Sequence, residues 1–125
     1  MPLEIEIHAE PHEGKRISLA GSLDTDTAPQ LQDKIDQEID STVHMIIMDL
    51  HRLQFLSSAG LRVIFKTKKF MDEHHGKFML LNLQPQVRKV FDIIKALEGM
   101  NVFRSQEEMD DYLAAMQNKV LDGDA

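Results

Sequence analysis

The fold is decided by residues 43–50, VHMIIMDL, a nearly unbroken run of bulky apolar side chains. A strand with one solvent-facing side would alternate apolar and polar residues, so this run indicates a strand buried on both faces. We therefore expect it to lie in the middle of a sheet.

Two serines, Ser57 and Ser58, follow Leu50 by seven and eight residues, and an amphipathic helical pattern then extends from Leu61 to about His75. The serines should stand at a helix N-terminus, beside unpaired backbone N–H groups and the positive end of the helix dipole. Such a position suits an anion. N-capping is one role for these residues, and it needs only one hydroxyl. Phosphate acceptance is the other, because the added charge meets the helix N-terminus.

The segments on either side predict the element order β-β-α-β-α-β-α-(β)-α. The chain begins with an antiparallel hairpin over 3–23, with its turn at 11–14, and a helix that starts with a capping box at Thr27. The strand at 43–50, the helix that ends at Gly76 and a strand over 78–83 follow. The last elements are a helix after Pro85, a short edge strand at 102–103 and a helix that starts with a capping box at Ser105. Alternating strands and helices imply parallel pairing through crossover helices. The predicted fold class is α/β, with a mixed central sheet and about four helices.

Two apolar residues of the helix after the serines, Leu61 and Phe65, lie off the stripe that faces the core. They are either packed under a neighbouring element or exposed as a contact site. A second candidate region is the loop of Asp24, Thr25, Asp26 and Thr27, whose residue types are typical of turns and caps. This loop and the Ser58 loop should also lie at the same end of the sheet, where open α/β sheets present ligands.

The whole chain has 125 residues, enough for one domain with a core. Its 14 basic and 21 acidic residues give a net charge of −7, which disfavours binding to nucleic acid or to an anionic membrane. No signal peptide or membrane-spanning segment is visible, so we expect a cytoplasmic protein. Cysteine is absent, and the histidines lack the spacing of metal ligands. No nucleophile with a base is visible, so we expect no enzyme, no cofactor and no metal site.

Three motifs together resemble the STAS domain of the bacterial anti-sigma factor antagonists: GSLD at 21–24, MDL at 48–50 and FLSSAGLR at 55–62. The element order agrees over nearly the whole chain. The resemblance implies a single STAS-type domain over residues 1–120, with a flexible tail at 121–125.

The resemblance also implies a function in transcription regulation by partner switching. In this family a serine is phosphorylated by a partner that is both anti-sigma factor and serine kinase. The unphosphorylated form binds that partner and frees the sigma factor, and a PP2C-type phosphatase resets the cycle. The alternative is a non-cycling STAS scaffold or transport-associated subunit that binds a protein or a small ligand.

Alignment on Gly60 places the family's phosphoacceptor on Ser58. Ser57 stands where the family often has aspartate, and it is the alternative acceptor because it places a second hydroxyl there. Asp24 matches the family's loop aspartate at the partner-binding end. The predicted partner-binding residues are Asp24, Thr25, Asp26, Thr27, Ser57, Ser58, Ala59, Leu61, Arg62 and Phe65.

Overall fold

The computed structural model describes residues 2–93 and 99–123. Its elements are β1 (Leu3–Glu10), β2 (Gly14–Leu23), α1 (Ala28–Glu38), β3 (Met45–Leu56), α2 (Ser58–Glu73), β4 (Lys77–Leu81), α3 (Pro85–Ile93), β5 (Asn101–Phe103) and α4 (Gln106–Gly123). The predicted order and the α/β class are confirmed. Among the described residues, no helix combines the length and the apolar character needed to cross a membrane.

The sheet has five strands in the order β1-β2-β3-β4-β5, so β3 is the central strand, as predicted. β1 pairs with β2 antiparallel, and the remaining pairs are parallel. β3 continues to Leu56, six residues beyond the predicted end. Two irregularities in its register with β2 change the alternation there, so that Leu50, Leu53 and Leu56 are buried at a spacing of three.

Helices cover both faces of the sheet. Ile46 and Met48 of β3 belong to the main core, together with residues of α1, α2 and α3. Ile47, which points to the opposite face, packs in a second cluster with Met109 of α4. This double cover explains the unbroken apolar run that organises the sequence.

The helix ends differ from the predictions in detail. α2 ends at Glu73, three residues before Gly76, and His75 takes the left-handed backbone conformation with φ 62°. The predicted cap at Ser105 is present, because its Oγ accepts a bond from the Glu108 N–H at 3.1 Å. The backbone of α4 continues to Gly123, while residues 124–125 of the predicted tail lie outside the described residues.

Candidate functional site

The loop after β2 is held together by the Asp24 side chain. Its Oδ1 accepts bonds from the N–H groups of Asp26 at 2.9 Å and Thr27 at 3.0 Å. The bond from the Thr27 N–H is the main reason why the pKa of Asp24 lies below its ordinary value of 3.8, because these bonds favour the carboxylate. The turn interpretation of Asp24 is therefore confirmed.

Thr27 performs a structural role in this loop. Its hydroxyl donates to the Ser22 carbonyl at 2.8 Å and accepts from the Asp24 N–H at 2.9 Å. With its hydroxyl engaged in these bonds, Thr27 makes no side-chain cap on α1, so the predicted capping box is wrong. Thr27 is also only 7% exposed, which contradicts its predicted place among the partner-binding residues. Thr25 and Asp26 are exposed.

The two serines at the start of α2 differ in their roles. Ser57 has an extended backbone, with φ −99° and ψ 172°, and its Oγ accepts a bond from the Gly60 N–H at 3.4 Å, so it is the N-cap. Ser58 is the first helical residue and is exposed. Its hydroxyl makes no hydrogen bond with another described residue. The N-capping and acceptor roles therefore fall on different serines.

Gly60 allows the two loops to meet. The Ser57 N–H donates to the Leu23 carbonyl at 2.9 Å, which ties the start of α2 to the end of β2. A Cβ at Gly60 would lie 2.6 Å from Leu23 Cγ and 2.9 Å from the Leu23 carbonyl oxygen, closer than side chains normally pack. The absence of a side chain therefore brings Ser57 and Ser58 beside the Asp24 loop, at the common end of the sheet that the sequence predicts.

Leu61 is a correction to the predicted partner surface. It is only 4% exposed and belongs to the main core, while Phe65 is half-buried against that core. The physical reason is that α2 contacts α1 as well as β3 and β4, so more than one side of the helix is covered. Arg62 is exposed, and Ala59 is half-buried.

An open depression of about 330 Å³ lies between α1 and α2. It brings together three predicted residues, Thr25, Ala59 and Arg62, with residues that we had not predicted. Its lining consists of Thr25, Ala28, Pro29, Gln32, Ala59, Arg62, Val63 and Lys66. Lys66 could have been found from the sequence, because it stands one helical turn after Arg62.

Phe55 is a further residue that the sequence analysis missed. Its side chain is 51% exposed and precedes the serines on β3. Leu53 and Leu56 on either side of it are buried, and this spacing of three depends on the register irregularities between β2 and β3, so the sequence alone carried no signal for the exposure of Phe55. In the described part of the chain, no cluster of three or more His, Asp or Glu side chains is placed to hold a metal ion.

Comparison with known proteins supports this description. A family model described as "STAS domain" matches residues 6–109. A Bordetella bronchiseptica protein named "Putative anti-sigma factor antagonist BtrV" is 35% identical over 89 residues, which cover 71% of this chain and 77% of that protein.

Solved structures of SpoIIAA are also similar. The unphosphorylated form of this anti-sigma factor antagonist has 26% identity and a TM-score of 0.70, covering 90% of this chain and 98% of the other. The phosphorylated form of the Bacillus protein has 28% identity and a TM-score of 0.70, covering 88% and 99%. With the family model matching most of its length and the fold shared with these structures, this chain belongs to the STAS domain family.

Proposed function

We propose that the chain is an anti-sigma factor antagonist, a binding module and not an enzyme. In its unphosphorylated form it binds an anti-sigma factor with serine-kinase activity, and thereby frees a sigma factor or another regulated partner. The names of its relatives support the general role. The two forms of SpoIIAA, phosphorylated and unphosphorylated, support a switch based on phosphate.

The observation that carries this proposal is the division of roles between the two serines. The Ser57 hydroxyl is engaged as the cap of α2, whereas the Ser58 hydroxyl is exposed and makes no bond with another described residue. A kinase would therefore reach Ser58 without opening the helix. It would transfer the γ-phosphoryl group of ATP to Ser58 Oγ, with release of ADP and of the hydroxyl proton.

Phosphate at Ser58 would change the surface by charge more than by movement. It adds a charge of about −1.5 to −2 at the N-terminus of α2, where the helix dipole tolerates it. The Asp24 carboxylate and the exposed Asp26 belong to the adjoining loop, so the negative charge of this end of the domain increases. The binding free energy of a partner without a matching cation would weaken by about 2 kcal/mol or more, which lowers its affinity more than tenfold. A PP2C-type phosphatase would restore the binding form.

The acceptor is tested by incubating the chain with ATP and each kinase-type anti-sigma factor of the same genome. We expect mass spectrometry to map the phosphate to Ser58, Ser58→Ala to abolish labelling, and Ser57→Ala to retain it. Labelling confined to Ser57 would contradict the acceptor assignment and leave the switch in place. Absence of labelling would contradict the switch and favour a non-cycling STAS scaffold or transport-associated subunit.

A further inference from the structure

The exposed side of α2 carries three cations in line with Ser58. Arg62, Lys66 and Lys69 are exposed and follow Ser58 at spacings of three and four, so all four residues lie on one side of the helix. None of the three cations forms an ion pair with another described residue, whereas the neighbouring Lys68 pairs with Asp72 at 2.6 Å. We call Arg62, Lys66 and Lys69 the basic stripe.

The basic stripe borders a groove between α1 and α2. The depression described above is followed by a second one of about 140 Å³, and the two share Gln32 and Lys66. The groove therefore extends along α2 from Ala59 to Phe70, roughly 16 Å at the rise of an α-helix. Phe70 is 37% exposed and provides an apolar contact at the far end.

The two sides of the groove differ in charge. The α2 side carries Arg62 and Lys66, whereas the α1 side carries Asp36, whose carboxylate accepts a bond from Gln32 at 2.8 Å. The chain as a whole has a net charge of −7. An acidic segment would therefore be repelled by most of the domain and attracted to the α2 side of this groove, which would fix its orientation.

We propose that the groove and the basic stripe receive an amphipathic acidic helix of the anti-sigma partner, an inference that rests on the proposed function. The groove is long enough for about three helical turns. Apolar side chains of the partner helix would contact Val63 and Phe70, and its carboxylates would face the basic stripe. This is the helix-in-groove mode of recognition, with charge specifying the direction.

The same arrangement gives the switch a physical mechanism. Arg62 stands one turn after Ser58, the spacing at which side chains of a helix interact. A phosphate on Ser58 would pair with Arg62 and withdraw this cation from the partner's carboxylates, and it would also repel them directly. Phosphorylation would thus act by competition for the basic stripe.

The test is isothermal titration of the full chain, and of its variants Lys66→Glu and Lys69→Glu, with a kinase-type anti-sigma factor from the same genome. We expect each reversal to raise Kd about tenfold at low salt, and the loss to shrink as salt is raised to about 0.5 M. Lys89→Glu is the matched control, because this exposed lysine lies on α3 and its substitution changes the net charge equally. Its Kd should stay close to that of the unaltered chain, and all variants should keep their thermal unfolding midpoint.

Two further measurements identify the occupant and the mechanism. Hydrogen exchange on the partner should show protection in an amphipathic acidic helix, and Lys substitutions there should restore binding to Lys66→Glu. Phosphorylation should weaken binding by a smaller factor in Arg62→Gln than in the unaltered chain.

Several results would overturn the inference. Unchanged affinity of Lys66→Glu, equal weakening by Lys89→Glu, or protection of a basic partner segment would each exclude the basic stripe as the recognition surface. Self-association of the chain that Lys66→Glu abolishes would assign the groove to a second copy instead. If the unaltered chain does not bind the anti-sigma factor at all, the proposed function fails, and this inference fails with it.

Discussion

Replacement of Gly60 by alanine tests the close packing that brings α2 against the end of β2. The added Cβ would lie 2.6 Å from Leu23 Cγ, 2.9 Å from the Leu23 carbonyl oxygen and 2.9 Å from Leu56 Cδ1. Alanine also favours the helix over glycine by about 1 kcal/mol, which opposes this effect. Overpacking costs about 1–3 kcal/mol, and the upper part of that range, about 2–3 kcal/mol, applies here because a carbonyl held in a strand cannot rotate away as a side chain can. We therefore expect Gly60→Ala to lower the free energy of unfolding by about 1–2 kcal/mol.

Urea unfolding followed by circular dichroism measures this difference, and the midpoint of thermal unfolding should fall by about 3–5 °C for each kcal/mol. Ser58→Ala is the control, because it changes an exposed residue of the same helical turn. It should change stability by less than about 0.5 kcal/mol. A Gly60→Ala variant as stable as the unaltered chain, or more stable, would refute the packing of α2 against β2.

Three further substitutions test the site. Ser57→Ala should lower the free energy of unfolding, measured in urea, by about 1 kcal/mol because it removes the cap of α2. A loss no larger than that of Ser58→Ala would contradict the assignment of Ser57 as the cap. Leu61→Ala should lower the free energy of unfolding by about 2–5 kcal/mol because the Leu61 side chain is in the core. A loss below about 0.5 kcal/mol would mean that this side chain is exposed. The lowered pKa of Asp24 contributes stability that is present above its ordinary value of 3.8 and is lost as pH falls through the lower folded value. The difference in thermal midpoint between the unaltered chain and Asp24→Asn should therefore narrow as pH falls below about 4, and a constant difference would show that the charge of Asp24 is not involved.

The sequence predicted the sheet well because its central strand has an unusual pattern. Burial on both faces leaves no polar alternation at Ile46, Ile47 and Met48, and only a central strand has that environment. The continuation of β3 to Leu56 was not predictable in the same way. Register irregularities replace the period of two by a spacing of three, and they depend on the pairing with β2.

The sequence predicted that the Asp24 loop and the two serines lie at one end of the sheet, but it predicted the burial of individual side chains there less well. Helical periodicity assumes one covered side, but α2 is covered by both α1 and the sheet, and Leu61 is consequently buried. Sequence alone could not separate the roles of Ser57 and Ser58, since either hydroxyl can cap a helix. The extended backbone of Ser57 and the bond from the Gly60 N–H to its Oγ identify it as the cap, and the tertiary bond from the Ser57 N–H to the Leu23 carbonyl accompanies that conformation.

The central claim is that phosphate on Ser58 switches partner binding. Its most direct test compares the affinity of a kinase-type anti-sigma factor from the same genome for the unphosphorylated chain and for the chain fully phosphorylated on Ser58. The proposal predicts that the phosphorylated form binds more than about tenfold more weakly. Equal affinity of the two forms would contradict it.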